Sequence, residues 1–354
     1  MISPEGVALP PAASESFQYP DIPIPEPGEV VTIGAGIGWL RMPLPISLDH
    51  INLWLLEDAG GQTLVDTGMA TAPARALWEQ LSGTVLRGRP LTRILLTHLH
   101  PDHSGLVAWL QQRFDVPVWT SQATLDQLRV LLADTPAEAL AQRLAFFARH
   151  GVEPLPEMAA SLGSKGYQDS VSGVPEAQHL LSDEERMQIG AREWRGLLTG
   201  GHAHGHLCLH SAEPDSVLIA GDQVLPTISP NVSLTPLTPD PNPLLTYLES
   251  LERLAQLDTA TLVLPSHGRP FVGLAARAQE LRQHHERHLA KLVAACRTPL
   301  TAFECLPFLY RRPQRGFNLF LAMGEALAHL EYLACSGRFA RHSEGAVTRY
   351  RCLE

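Results

Sequence analysis

The sequence is short of several features, and each shortage removes a class of protein. No run approaches the roughly 18 uncharged apolar residues that a membrane-spanning helix needs. The five cysteines, Cys208, Cys296, Cys305, Cys335 and Cys352, are odd in number and include no C-x-x-C pair. A disulfide scaffold is therefore not expected, and a reducing, cytoplasmic setting is. The first residues, MISPEGVALPPAASESFQYP, carry neither a basic nor an apolar segment, so no secretory signal is expected. There is no internal repeat, and no low-complexity tract beyond this proline-rich start. Charged residues make up only 18% against 45% hydrophobic, with a mean hydropathy of −0.02. Such a chain buries a core and does not stay disordered. Its 354 residues suffice for two structural units, or for one domain with large insertions.

The formal charge of −10 argues against a nucleic-acid-binding surface over the whole molecule, but the charge is uneven. From Gly273 onward 12 Lys and Arg stand against 7 Asp and Glu, a local +5; the first 272 residues hold 15 against 30. An acidic body therefore carries a basic tail.

Three parts follow from the pattern along the chain. Residues 1–27 hold prolines at 4, 10, 11, 20, 23, 25 and 27 and are expected to form an arm that sustains neither helix nor central strand. Residues 28–272 alternate strand-like and helix-like runs, an α/β pattern. INLWLLE (51–57) and TLVDTG (63–68) read as a hairpin turning at Ala59-Gly60-Gly61, Thr71–Leu81 as a helix, and RILLTH (93–98) as a buried strand. A mainly helical insertion at 121–180, broken near Thr135-Pro136, is placed to act as a lid or substrate wall. Residues 273–354 open with a long helix to about Arg297. A capping box, Thr301-Ala-Phe-Glu304, then starts another helix. A helical stripe over Phe317–Ser336 follows, stopped by Gly337, and RFARH and AVTRYR read as a hairpin around Ser343-Glu344-Gly345. Helix, helix, hairpin is a winged-helix-like order.

The densest chemistry lies in Thr97-His98-Leu99-His100-Pro101-Asp102-His103, three imidazoles and a carboxylate directly after an apolar strand. A loop between strand end and helix start can aim all four at one volume, and the donor set suits zinc, iron or manganese. A merely histidine-rich polar loop would not be expected to repeat H-x-H-x-D-H. Three more segments match it: Thr199-Gly-Gly-His202-Ala-His204-Gly-His206, Asp222 after the apolar run SVLIA, and Ser266-His267-Gly268 after the strand-like 262–265. Each alone is weak; their joint order is not.

These residues resemble the metallo-β-lactamase-fold hydrolase superfamily, whose pattern is a D-x-G turn, H-x-H-x-D-H, a G-H turn, a strand-end Asp and a late His. Here these are Asp66 in VDTG, the 98–103 loop, His202, Asp222 and His267, over about residues 30–272. The tail is similar, on architecture, to a subgroup containing glyoxalase-II-like proteins and an endoribonuclease branch. The resemblance implies an αββα sandwich with the metal centre at one edge, a helical insertion and a C-terminal winged-helix-like domain. It implies two divalent ions, zinc first and iron or manganese as alternatives. His98, His100 and His202 would hold one, Asp102, His103 and His267 the other, and Asp222 would bridge. Asp66 would hold the turn and bind no metal. Two divalent ions less Asp102, Asp222 and a bridging hydroxide leave about +1, enough to hold the hydroxide and stabilise a developing oxyanion. Asp102 is expected to orient the nucleophile.

Other polar residues carry less. The G-H-x-x-G register selects His202, so His204, His206 and His210 are expected to be loop or strand-surface residues. His284, His285 and His288 read as a solvated helix face, because no carboxylate-and-histidine set accompanies them. Gly34-Ala-Gly36-Ile-Gly38 precedes WLRMPLP and no helix, so it is not a nucleotide loop. Cys208, in a strand-like run, is expected to be an inert thiol. Arg269, Lys165 and Tyr167 are candidate contacts for an anionic substrate. The expected function is therefore a dinuclear hydrolase of a thioester or other small acyl substrate, without a membrane role and with a homodimer allowed by the apolar tail. The alternatives are an endoribonuclease or phosphodiesterase gripping RNA through the basic tail and Arg311-Arg312-Pro-Gln-Arg315, a lactonase, and a mono-iron persulfide dioxygenase.

Overall fold

The computed structural model describes residues 17–34, 36–153 and 167–354. Among them, two sheets pack face to face. The first runs in chain order through β1 (Val30–Thr32), β2 (Ile37–Pro43), β3 (His50–Asp58), β4 (Gly61–Val65), β5 (Leu91–Leu95), β6 (Val118–Thr120) and β7 (Ala177–Leu180). The second is ordered β13 (Phe271–Val272), β12 (Leu262–Pro265), β11 (Val217–Gly221), β10 (His206–Ser211), β9 (Arg192–Thr199) and β8 (Arg186–Ile189). Both faces of each sheet are covered, so the central strands are apolar on both sides, each face taking every second residue. In β3, Trp54 and Leu56 enter the core between the sheets, while Ile51, Leu53 and Leu55 face the outer helices. In β11, Val217 and Ile219 point to the inter-sheet core, and Leu218 and Ala220 point outward.

The first sheet's outer face is covered by α1 (Ala72–Gly83), capped by the Thr71 side chain, and by α3 (Val107–Phe114), with Trp78, Leu81 and Leu110 buried there. The second sheet's outer face meets α6 (Pro243–Leu254), α7 (Leu274–Ala295), α8 (Ala302–Leu309) and α9 (Gly316–Cys335) in one continuous cluster. Helix, sheet, sheet, helix is the expected layering. The Thr301–Glu304 capping box is formed, and β14 (Phe339–Glu344) pairs antiparallel with β15 (Val347–Cys352). Each of these elements matches its sequence signal to within a few residues.

The insertion between β6 and β7 contains α4 (Gln122–Ala133) and α5 (Pro136–Arg149). They part at Thr135, which closes a capping box with Glu138. It acts as a buttress. Leu128 packs with Leu96, Leu99 and Ala203 beneath the histidine loop, while Phe146 and Phe147 pack on Phe320 of α9. Residues 154–166 of the expected lid, including Lys165, lie outside the described residues. Most of the N-terminal arm also does; its last part runs beside β13, where Gln18 pairs with Val272 and the Phe17 ring packs, tilted, against Phe271 at 4.7 Å.

Candidate metal centre

Four of the five histidine- and aspartate-bearing segments follow parallel strands. β4 and β5 run parallel in one sheet, β11 and β12 in the other. Their C-terminal ends meet at one edge of the sandwich, tied by Leu207 N–H to the Thr97 carbonyl (2.8 Å) and Asn52 N–H to the Ser266 carbonyl (2.7 Å). The fifth segment, the β9–β10 turn, brings His202 to the same edge.

Local rules set each loop. His100 is extended and Pro101 starts the short helix α2 (Pro101–Ser104), so His98 and His100 leave the strand while Asp102 and His103 sit in the first helical turn. Gly105 makes this closeness fit: a Cβ there would lie 2.3 Å from the Pro101 carbonyl oxygen and 2.7 Å from that of Gly68. Asp66 takes a left-handed φ of 62°, which aspartate tolerates better than most residues.

The seven candidate ligands converge in two overlapping sets, His98 with His100, His202 and Asp222, and Asp102 with His103, Asp222 and His267. His98 Nε2 lies 2.7 Å from His100 Nδ1 and 3.3 Å from His202 Nε2. Asp222 faces both sets. Its Oδ2 is 3.4 Å from His202 Nε2, and its Oδ1 is 3.4 Å from both His103 Nε2 and His267 Nε2. Asp102 Oδ2 lies 3.2 Å from His267 Nε2 and 3.7 Å from His103 Nε2. Donors bound tetrahedrally at about 2.0–2.1 Å from one ion are about 3.4 Å apart, so this spacing fits a shared cation. Both Asp102 oxygens, His103 Nε2 and Asp222 Oδ1 are buried without a hydrogen-bond partner among the described residues. Such orphaned groups are costly unless something satisfies them, and a divalent ion would.

The other ring nitrogens are held from outside, which aims the inner ones. His103 Nδ1 donates to Asp66 Oδ2 (2.8 Å), and Asp66 also accepts from the Thr97 amide and hydroxyl. His202 Nδ1 donates to the Asn231 carbonyl (2.9 Å) and His267 Nδ1 to that of His50 (2.8 Å). Asp66 thus orients a histidine from behind, as expected.

Electrostatics points the same way. Burial, with the neighbouring imidazoles, holds His98 and His100 well below the usual histidine range, so both stay neutral and keep lone pairs. Burial would raise Asp102 and Asp222; the His103 and His267 imidazoles act against it, and both carboxyls lie below the usual carboxylate range. Burial also opposes charge on His103; the carboxylates of Asp222, Asp102 and Asp66 override it and push His103 well up.

Several expectations need correction. His204 is exposed, but His206 and His210 are buried. His206 Nε2 accepts the Asp222 amide at 3.1 Å, and a Cβ on Gly221 would lie 2.5 Å from it, so this imidazole sets the backbone that carries Asp222. Histidine at the first position of a buried strand was the available signal. Asn52, polar between Ile51 and Leu53, is a further functional residue: it donates to the Pro265 and Gly268 carbonyls and so pins the His267 loop. Arg269 donates to the Pro20 and Ile22 carbonyls, holding the arm, and Tyr167 donates to the Leu99 carbonyl behind the histidine loop. His284, His285 and His288 are buried rather than solvated, because their partners, Glu325 and His329, arrive from α9. Cys208 is buried and its thiol is pushed up to about 12 by burial, an inert group as expected.

A cleft opens over His202, Asp222 and His267, walled by Leu48, Leu225, Ile228, Ser229, Pro230 and Asn231. No Lys or Arg lines it among the described residues.

Comparison with known proteins agrees. The metallo-beta-lactamase superfamily pattern matches residues 46–267, and that of a metallo-beta-lactamase-like C-terminal domain matches 289–353. A crystal structure of a beta-lactamase domain protein from Burkholderia ambifaria is 41% identical, with a TM-score of 0.87 over 95% of this chain and 98% of that one. A probable metallo-hydrolase of Bacillus subtilis is 27% identical over 89% of this chain and 97% of its own length. Human acyl-coenzyme A thioesterase MBLAC2 is 27% identical over 68% of this chain and 81% of its own. A hydroxyacylglutathione hydrolase of Marinomonas is 25% identical over 51% and 49%. The chain belongs to the metallo-β-lactamase superfamily and is a metal-dependent hydrolase.

Proposed function

We propose that the protein is a dinuclear hydrolase of thioesters or similarly small acyl substrates. The observation that carries the dinuclear reading is Asp222, whose two carboxylate oxygens face different imidazole sets. His98, His100 and His202 would hold one ion, Asp102, His103 and His267 the other, and Asp222 both. Divalent ions there, zinc by donor type, would supply Lewis acidity and bring the pKa of water from about 15.7 towards about 7.

The chain's own residues supply position. Asp66 and Thr97 hold His103, His206 holds Asp222, and Asn52 holds the His267 loop. Asp102, buried and without a donor partner, would accept a hydrogen bond from the attacking water and aim it at the carbonyl carbon. The leaving group needs no buried acid if it is a thiol, because a pKa near 8.5 lets it depart as thiolate. The cleft presents no Lys or Arg among the described residues to grip a phosphodiester backbone.

In the tail, Arg338 pairs with Glu354, Arg341 with Glu331, and Arg349 with Glu304 and Glu344, so these three arginines are engaged within the tail itself. We read residues 28–272 as the catalytic unit, with the insertion at 121–180, and residues 273–354 as a winged-helix-like module docked on it.

A turnover panel tests this reading with an acyl-coenzyme A, a lactone, bis-p-nitrophenyl phosphate and a short RNA, on wild type and Asp102→Ala. Thioester turnover should lead the panel and fall at least about 100-fold in the variant, with the circular dichroism spectrum retained. Unchanged turnover in the variant, preference for RNA, or iron near one per chain with dioxygen uptake would overturn it.

A further inference from the structure

The interior between α7 and α9 holds a second gathering of imidazoles that the catalytic reading does not use. His284 and His288 stand four residues apart on α7, and Glu325 and His329 four apart on α9, so each pair shares one helix face. The two faces meet, with the His329 ring 5.2 Å from that of His285 and 5.3 Å from that of His288. None of the five is more than 6% exposed.

Hydrogen-bond directions decide which atoms are free. His329 Nδ1 donates to the Glu325 carbonyl (2.7 Å), so in the neutral ring its Nε2 carries the lone pair. His285 Nδ1, 3.1 Å from that Nε2, must then donate to it, which leaves a lone pair on His285 Nε2. His285 Nε2 and His288 Nδ1 are both buried without a hydrogen-bond partner among the described residues. Tyr310 donates to Glu325 Oε2 (2.5 Å), and Oε1 is turned towards His284 Nε2 and His288 Nδ1, 4.0 Å from each. One ligating atom from each of His284, His285 and Glu325 lies within 4.8 Å of the others. Burial keeps these imidazoles neutral, His284 at about 4 and His288 at about 2, and lifts Glu325 to about 7. The cluster therefore offers neutral nitrogen donors and one carboxylate that would ionise more readily beside a cation.

We propose that His284, His285, His288 and Glu325 form a separate cation site, taking one divalent ion of the zinc class that fastens α9 to α7. Imidazole and carboxylate donors without thiolate suit such an ion and not a soft monovalent one. His329 behind His285 and Tyr310 behind Glu325 orient ligands as Asp66 orients His103. The Glu325 Oε1 separations of 4.0 Å exceed the roughly 3.4 Å of a tetrahedral set, so binding draws the donors closer together. The ion lies outside the catalytic cleft, but its clamp reaches the catalytic edge. The Gly324 carbonyl on α9 accepts the Leu234 amide (3.0 Å), and the same loop offers the Asn231 carbonyl to His202.

Full-length protein saturated with zinc, desalted and assayed by plasma mass spectrometry tests the site. Wild type should hold one more ion per chain than Glu325→Gln and than the His284→Gln/His288→Gln double variant. That difference does not depend on how many ions the catalytic centre holds. Equal metal content in the three proteins overturns the proposal. If neither variant folds, zinc-edge anomalous diffraction from zinc-saturated wild-type crystals decides: a peak between His288 and Glu325 supports the site, and its absence rejects it.

Discussion

The molecule holds two buried histidine gatherings, built by opposite means. At the sheet edge the seven candidate ligands arrive on four separate loops or turns, and donor atoms close to between 2.7 and 3.7 Å. Between α7 and α9 the side chains hang from two rigid rods, and Glu325 Oε1 stays 4.0 Å from its imidazole neighbours. Packed helices keep their axes about 8–10 Å apart, a span that side chains must bridge. Loops at strand ends carry no such limit. The same residue types therefore give a tight gathering, which we propose holds two ions, in one place and a looser one, proposed to take a single ion, in the other.

The sharpest way to break this contrast is Asp222→Ala. It removes the one carboxylate facing both sets, and kcat/KM for the best substrate should fall about 1,000-fold or more with folding retained. A loss under tenfold would mean that Asp222 does not join the two sets. Next comes Asp66→Asn, which leaves the ligands in place and removes the carboxylate behind His103. Metal affinity should drop about 10- to 100-fold, measured by competition with a chelating dye, and unchanged affinity would show that His103 needs no orientation from behind.

How far each gathering was legible follows from the same difference. H-x-H-x-D-H keeps four candidate ligands within six residues, and Asp222 and His267 each follow an apolar strand, so the joint order of these segments drew attention to them and the family resemblance gave them their expected roles. The layered fold was legible too, since strands such as INLWLLE and SVLIA are apolar on both faces. The helical gathering was not, because His284 and Glu325 are 41 positions apart and each half looks like an ordinary amphipathic face. Only the packing of α9 on α7 reveals that the faces meet. His206 was misread for a related reason: its partner is a backbone amide, which leaves no trace in side-chain spacing.

His206→Ala sharpens that last point with a smaller effect. It leaves the Asp222 amide buried and without its acceptor, so chemical denaturation should show a loss of about 1–3 kcal/mol, with turnover reduced but present. A fully stable variant would contradict the positioning role.

The smallest expected effect is a control far from either gathering. Burial would raise the Asp58 carboxyl, but hydrogen bonds from Thr63, Thr92, the Ala59 amide and Arg93 outweigh it and hold the group at about 2. Its folded pKa lies below the unfolded one. It therefore stabilises the fold fully above about pH 4, and that contribution disappears as pH falls through about 2. Asp58→Asn should cost about 1–2 kcal/mol at neutral pH, and the gap to wild type should close on acidification towards pH 2, with turnover at neutral pH unchanged. A gap that persists at low pH would place the cost elsewhere than in the charge.

The most direct test of the central claim counts ions at the sheet edge alone. In the Glu325→Gln chain, with the helical gathering disabled, zinc saturation followed by desalting should leave two ions per chain, and adding Asp222→Ala should remove both. A Glu325→Gln chain that never holds more than one ion, or that keeps two after Asp222 is lost, would contradict the account.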